Sequence, residues 1–177
     1  MKATGIVRRI DDLGRVVIPK EIRRTMRIRE GDPLEIFTGN GGEVVFKKYS
    51  ALGELADFAG VYAESLTRCC SLPVIICDRD SCVACAAVSK KEVLERRIST
   101  ALEEVAESRK EKLFNDKSNI AIEGLNYSLL FAAPIISGGD LCGSIALITS
   151  DEGKTPSDSD INLIRVAATF LGKQMEE

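Results

Sequence analysis

Apolar and polar positions come in short bursts over the first fifty residues, then lengthen into helical stripes and solid apolar runs. Residues 4–10, TGIVRRI, and 15–18, RVVI, are rich in β-branched types and flank Asp11-Asp12-Leu13-Gly14. The acids and glycine suit a reversing turn, so the pattern predicts two strands joined there. Pro19 has no N–H to give a ladder but suits the first turn of a helix, which predicts a short helix over Lys20 to Met26. After the loop Arg29-Glu30-Gly31-Asp32-Pro33 come two more strands, PLEIF and EVVFKK. They surround Thr38-Gly39-Asn40-Gly41-Gly42, where Asn-Gly signals a hairpin.

The pattern changes near Lys48-Tyr49-Ser50, which divides the chain into domains 1–50 and 51–177. Residues 51–68 read as a helix with Leu52, Leu55, Ala59, Tyr62 and Leu66 at alternating spacings of 3 and 4, the seam of a helix bundle. Turn and cap signals at Thr155-Pro156-Ser157-Asp158 open a second such helix, with Ile161, Ile164, Ala168, Leu171 and Met175 as its seam. Phe58, Val61, Leu163, Val166 and Phe170 lie beside the seams, so each helix has a side for a sheet and a side for a second copy; alternatively, the whole stripe is internal core. Between these helices the strands LPVIICD, SCVACAAV, NIAIEG, YSLLFAAPIIS and LCGSIALIT surround a long polar helix near 91–114. The fold class is α+β, a β-rich N-terminal module followed by an α/β sandwich.

Charge separates the two parts. Residues 1–50 carry 11 Lys and Arg against 7 Asp and Glu, a net of +4, while the other 127 carry 13 against 20, a net of −7. On the short helix Lys20, Arg23, Arg24 and Arg27 fall at i, i+3, i+4 and i+7, a cationic stripe on one face. Like charges so close repel, which points to an anion that neutralises them, a phosphate surface rather than a merely solvated face. No Trp is present, and the module's only Phe and Tyr residues (Phe37, Phe46, Tyr49) come late, so duplex DNA is a better target than a stacked single strand. Fifty residues bury little surface alone. Two copies that interleave their hairpins would pool Val7, Val16, Ile18, Leu34, Ile36, Val44 and Phe46 in one core.

Composition excludes several classes. With 45% hydrophobic and 29% charged residues the chain suits a globular protein, and its longest apolar run, LLFAAPII, is far short of a membrane span. The start lacks the apolar segment of a secretion signal, so the expected compartment is the cytoplasm, at the nucleoid. There is no histidine, no Gly-rich phosphate loop and no nucleophile motif, so no enzyme, no metal and no cofactor is expected. Six cysteines, Cys69, Cys70, Cys77, Cys82, Cys85 and Cys142, read as small buried hydrophobes. Cys82 and Cys85 form a C-x-x-C, but on a strand residues three apart point to opposite faces, which disfavours a thiolate metal site, while a redox or ligand sensor acting through this pair stays compatible with the rest of the pattern.

The stretch DDLGRVVIPKEIRRTMRI, with GIVRRI before it and GDPLEIF after it, closely resembles the AbrB family of swapped-hairpin DNA-binding domains. The resemblance implies an obligate dimer in which each chain gives two hairpins and a short helix to one barrel, with Arg8, Arg15, Arg23 and Arg24 at DNA and Lys2, Arg9, Lys20 and Arg27 as auxiliary contacts. Some members carry glycine where this chain has Arg27. Four arginines from each of two chains could neutralise up to about eight phosphates, a salt slope on the order of −7. The later pattern, with FAAPIISGGDLCGSIALIT, is similar to the GAF family of sensory domains, although the N-K-x-F-x-x-x-D-E pattern of its cyclic-nucleotide binders is missing. Together the two resemblances imply a transcription regulator of sporulation genes. Its partners would be double-stranded DNA and itself, as a dimer through the N-terminal domain and a tetramer through the C-terminal one, with no named small-molecule ligand. The alternative is an antitoxin that autoregulates and binds a toxin, since some swapped-hairpin proteins have that role.

Overall fold

The computed structural model describes residues 4–151 and 154–176, which divide into two units, Met1–Tyr49 and Ser50–Glu177. In the first unit, residues 4–19 have no regular secondary structure apart from the turn at Asp11 to Gly14. The strands expected at 4–10 and 15–18 therefore carry no ladder in a single chain. The Asp11 N–H donates to the Arg15 carbonyl at 3.1 Å and the Gly14 N–H to the Asp11 carbonyl at 3.0 Å, and there the pairing stops. β-branched composition favours an extended backbone, but a ladder forms only where a neighbouring strand takes its N–H and C=O groups. Helix α1 (Lys20–Met26) follows Pro19, and Arg27 ends it in the left-handed region at φ 52. That conformation favours glycine, so Arg27 closes the helix rather than extending the stripe to a fourth helical position. Strands β1 (Leu34–Thr38) and β2 (Val44–Lys48) pair as the expected hairpin, with Ile36 opposite Phe46.

None of the described residues in this unit is buried. Val7 is 84% exposed, Leu13 70% and Val17 71%. An apolar set this open has no core of its own.

The second unit centres on an antiparallel sheet in the order β4-β3-β7-β6-β5. Its elements run α2 (Ala51–Glu54), α3 (Ala56–Cys70), β3 (Val74–Cys77), β4 (Cys82–Ala86), α4 (Lys90–Val93), α5 (Thr100–Ser108), β5 (Lys112–Leu113), β6 (Ser128–Ser137), β7 (Asp140–Thr149) and α6 (Asp158–Gln174). Both faces of the sheet are covered, which explains the unbroken apolar runs of its central strands. Val74, Ile76, Ile145 and Leu147 face α3 and α6, while Ile75, Ala146 and Ile148 face α5 and the segment after it. Each fully buried Ile or Leu contributes about 1.5–3 kcal/mol. Helix α6 begins with a capping box: the Ser157 N–H donates to Asp160 Oδ2 at 2.8 Å and the Asp160 N–H to Ser157 Oγ at 3.2 Å.

Four sequence expectations change here. The helix over 51–68 is two helices, because Leu55 departs from helical geometry with φ −94 and ψ 17. The long helix near 91–114 is also broken. Glu95 turns left-handed at φ 61, and backbone bonds from Glu95 N to Cys82 O and from Cys82 N to Arg96 O, both 2.9 Å, tie this segment to β4. Ser99 then caps α5 by accepting from the Leu102 N–H at 3.2 Å. NIAIEG makes only isolated bridges, Ile98 to Ile122 and Ile120 to Ser128, and is not a strand. Finally, Cys82 and Cys85 do not point to opposite faces. An irregularity between Ile76 and Cys77 shifts the register opposite β4, and Cys77, Cys82 and Cys85 join one buried cluster. Hydrogen bonding to Cys77 and burial push the Cys82 thiol above its ordinary range; hydrogen bonding to Cys82 and burial do the same for Cys85.

Candidate nucleic-acid interface

The N-terminal cations sit on three pieces of backbone. Arg8 and Arg9 lie on the extended arm before the turn, and Arg15 lies just after it; all are exposed. Lys20, Arg23 and Arg24 share one face of α1 and are exposed, whereas Arg27 is half-buried at its end. Lys2 lies outside the described residues. Glu21 in the first turn and Arg23 and Arg24 in the last complement the helix dipole. Among the described residues no carboxylate pairs with Arg8, Arg9, Arg23 or Arg24, but Arg15 is paired: its Nε lies 2.8 Å from Asp11 Oδ2. Backbone and side-chain hydrogen bonds from Arg15 hold the Asp11 carboxyl below the usual carboxylate range.

Two residues that sequence reasoning did not single out support this surface. The Lys48 ammonium donates to the Arg27 carbonyl at 2.9 Å and lies 3.5 Å from Asp32 Oδ2, which accepts from the Arg29 N–H at 2.8 Å. Lys48 thus ties the end of β2 to the terminus of the helix that carries Arg23 and Arg24. The carboxylate-to-lysine pairing spans distant positions, so no local pattern could reveal it.

The expected bundle seams are placed differently. Leu52, Ala59, Leu66, Ile164, Ala168 and Leu171 are buried within the chain's own core, and Tyr62, Ile161 and Met175 pack against it. Leu55 is half-buried. These residues cover the sheet, so most are spent and cannot meet a second copy. Of the residues beside the seams, Leu163 packs against that core as well, whereas the other four face outwards: Val61 is 66% exposed and Val166 64%, next to Phe58 and Phe170. Phe170 packs its ring 5.4 Å from Tyr62 and 6.1 Å from Phe58, so α3 and α6 present one apolar strip. On the other flank of α6, a groove of about 570 Å³ is lined by Arg109, Lys110, Glu111, Pro134, Ile136 and Arg165. Arg165 Nε donates to both Glu111 oxygens, at 3.0 and 2.8 Å. Among the described residues no three His, Cys, Asp or Glu side chains converge as a metal site requires, and no helix is long and apolar enough to cross a membrane.

Residues 54–176 match the family described as "Stage V sporulation protein T C-terminal, transcription factor". Residues 7–51 match the family described as "Antidote-toxin recognition MazE, bacterial antitoxin". Stage V sporulation protein T of Bacillus subtilis (strain 168) is 47% identical over 180 residues, covering the whole of both chains. The solution structure of the N-terminal DNA recognition domain of the Bacillus subtilis regulator AbrB is 56% identical, covering 28% of this chain and 92% of that one, with a TM-score of 0.25. The type II free methionine-R-sulfoxide reductase of Thermoplasma acidophilum is 12% identical with a TM-score of 0.53, covering 70% of this chain and 94% of that one; the likeness is one of fold.

Proposed function

The chain belongs to the stage V sporulation protein T family of transcription factors, and on that premise we propose that it regulates sporulation genes through an arginine surface that only a dimer completes. The observation that carries this reading is that none of the described residues before Ser50 is buried, while the same segment exposes Arg8, Arg15, Arg23 and Arg24. A second copy would bury the apolar arms and double the cations by symmetry. Arginine suits the task, because its planar, always-charged fork fits phosphate oxygens and guanine edges. The strip of Phe58, Val61, Val166 and Phe170 supports a second contact between copies, which would join two dimers into a tetramer with two DNA-binding heads. The protein would work in the cytoplasm at the nucleoid, without catalysis. The groove beside α6 is where a small ligand of the C-terminal domain would be sought.

Retardation of duplex DNA by full-length Arg24→Ala tests the surface. Binding should weaken at least tenfold while the C-terminal unit melts unchanged; undiminished binding would remove Arg24 from the interface. The match of residues 7–51 to the MazE description favours a second reading, an antitoxin that also controls its own promoter. That reading requires relief of a toxin's growth arrest on co-expression, which a dedicated regulator would not provide.

A further inference from the structure

The contact between Asp11 and Arg15 is local to one chain and needs no partner to form. Asp11 Oδ1 accepts from the backbone N–H groups of Leu13 at 3.0 Å and Arg15 at 2.8 Å, and Oδ2 accepts from Arg15 Nε at 2.8 Å. One oxygen therefore closes the turn and the other holds the guanidinium. A guanidinium can meet a pair of acceptors side-on, through Nε and one Nη, or end-on, through both Nη groups. With Nε occupied, Arg15 keeps only the end-on fork, whose spacing suits O6 and N7 of guanine. The same carboxylate places a negative charge beside this cation. That charge opposes approach to a phosphate far more than approach to a neutral base edge. Arg8, Arg23 and Arg24 have no such neighbour among the described residues.

We propose that Asp11 is a positioning residue that sets the discrimination of the surface: it latches Arg15 end-on towards a base edge and holds it away from sequence-independent phosphate contact. The inference rests on the reading that Arg15 faces DNA. Arg15 is then the residue that reads sequence, and the unlatched arginines supply most of the salt-sensitive attraction.

Full-length Asp11→Asn separates the two oxygens' tasks. Asparagine keeps an oxygen for the turn, but its Nδ2 cannot accept from Arg15. The probes are a duplex enriched from a random pool by the unmodified protein and an alternating adenine–thymine duplex, whose major groove offers no O6 and N7 acceptor pair. On the second probe D11N should bind several-fold tighter, with a salt slope steeper by about 2 per dimer as two freed arginines reach phosphates. On the enriched duplex it should bind no tighter, so the ratio between probes falls at least fivefold. In an Arg15→Ala background the effect of D11N should vanish. Should the asparagine disturb the turn, Asp11→Ser, whose hydroxyl can cap it, gives the same readout. An unchanged ratio and slope in D11N, with R15A itself weakened, would overturn the latch. So would a D11N effect that persists in the R15A background, which would reduce it to general charge. Wild-type binding by R15A would instead remove Arg15 from the DNA surface, and the latch with it.

Discussion

The carbonyl oxygen of Ile136 stands 2.1 Å from the position that a Cβ on Gly172 would occupy. Helix α6 therefore lies against β6 at a distance only glycine permits, and this approach sets where Val166 and Phe170 emerge on the outer side. A second contact of this kind, 2.0 Å from a Gly143 Cβ to the Cys77 carbonyl, holds β7 close to the β3–β4 turn.

Gly172→Ala should destabilise the C-terminal unit by about 1–3 kcal/mol, because backbone rather than a flexible side chain must give way. Urea unfolding of the full chain reads this directly. A midpoint equal to that of the unmodified protein would show that α6 can shift without cost.

Lys48→Met keeps the length of the stem but removes the donor to the Arg27 carbonyl. DNA affinity should fall while the salt slope stays the same, since Lys48 supports the helix end and neutralises no phosphate. A slope shallower by about 1 for each lysine lost would place Lys48 at DNA itself.

Val166→Asp combined with Phe170→Ser puts a charge and a hydroxyl on the strip of α3 and α6. Sedimentation should shift from the mass of four chains to that of two, with DNA still bound by the dimer. Unaltered mass would mean that this strip is not the contact between dimers.

Burial, with Asp160 and Cys69 adding, pushes the Cys70 thiol up to about 11 from an ordinary 9.0. Below pH 9 both folded and unfolded states hold the proton, so stability does not respond to it. Between 9 and 11 the unfolded state loses the proton first, and stability falls as pH rises. Urea unfolding at several alkaline pH values should show this decline, to which the raised thiols of Cys82, Cys85 and Cys142 also contribute, and Cys70→Ala should make it shallower; an equally steep decline in the variant would assign it wholly to other groups. At pH 8 a thiol reagent should find exposed Cys69 fast and half-buried Cys142 slowly, and it should find Cys77, Cys82 and Cys85 only after unfolding.

Much of the local structure was legible because it depends on neighbours a few residues away. Asp11 to Gly14 turns, Pro19 opens α1, Asn40-Gly41 joins β1 to β2, and Ser157 caps α6, each through bonds that close within five residues. The shared face of Lys20, Arg23 and Arg24 follows from helical periodicity alone. Arg27 escaped that rule because a helix must end somewhere, and the end here is a left-handed residue held by Lys48, twenty-one positions on.

Composition and periodicity along the chain thus specify the local conformation, the division of charge between the two parts, and which stripes must be covered. What covers them emerges only when distant segments pack together. A stripe such as Leu52, Ala59 and Leu66 says that a face is apolar, and the hydrophobic effect is indifferent to whether a sheet or a second chain removes it from water. The sheet of the C-terminal unit claimed that face and left Val61 and Val166 outside. The N-terminal arms were extended by composition, yet a strand exists only when another strand takes its hydrogen bonds, and one chain does not supply it.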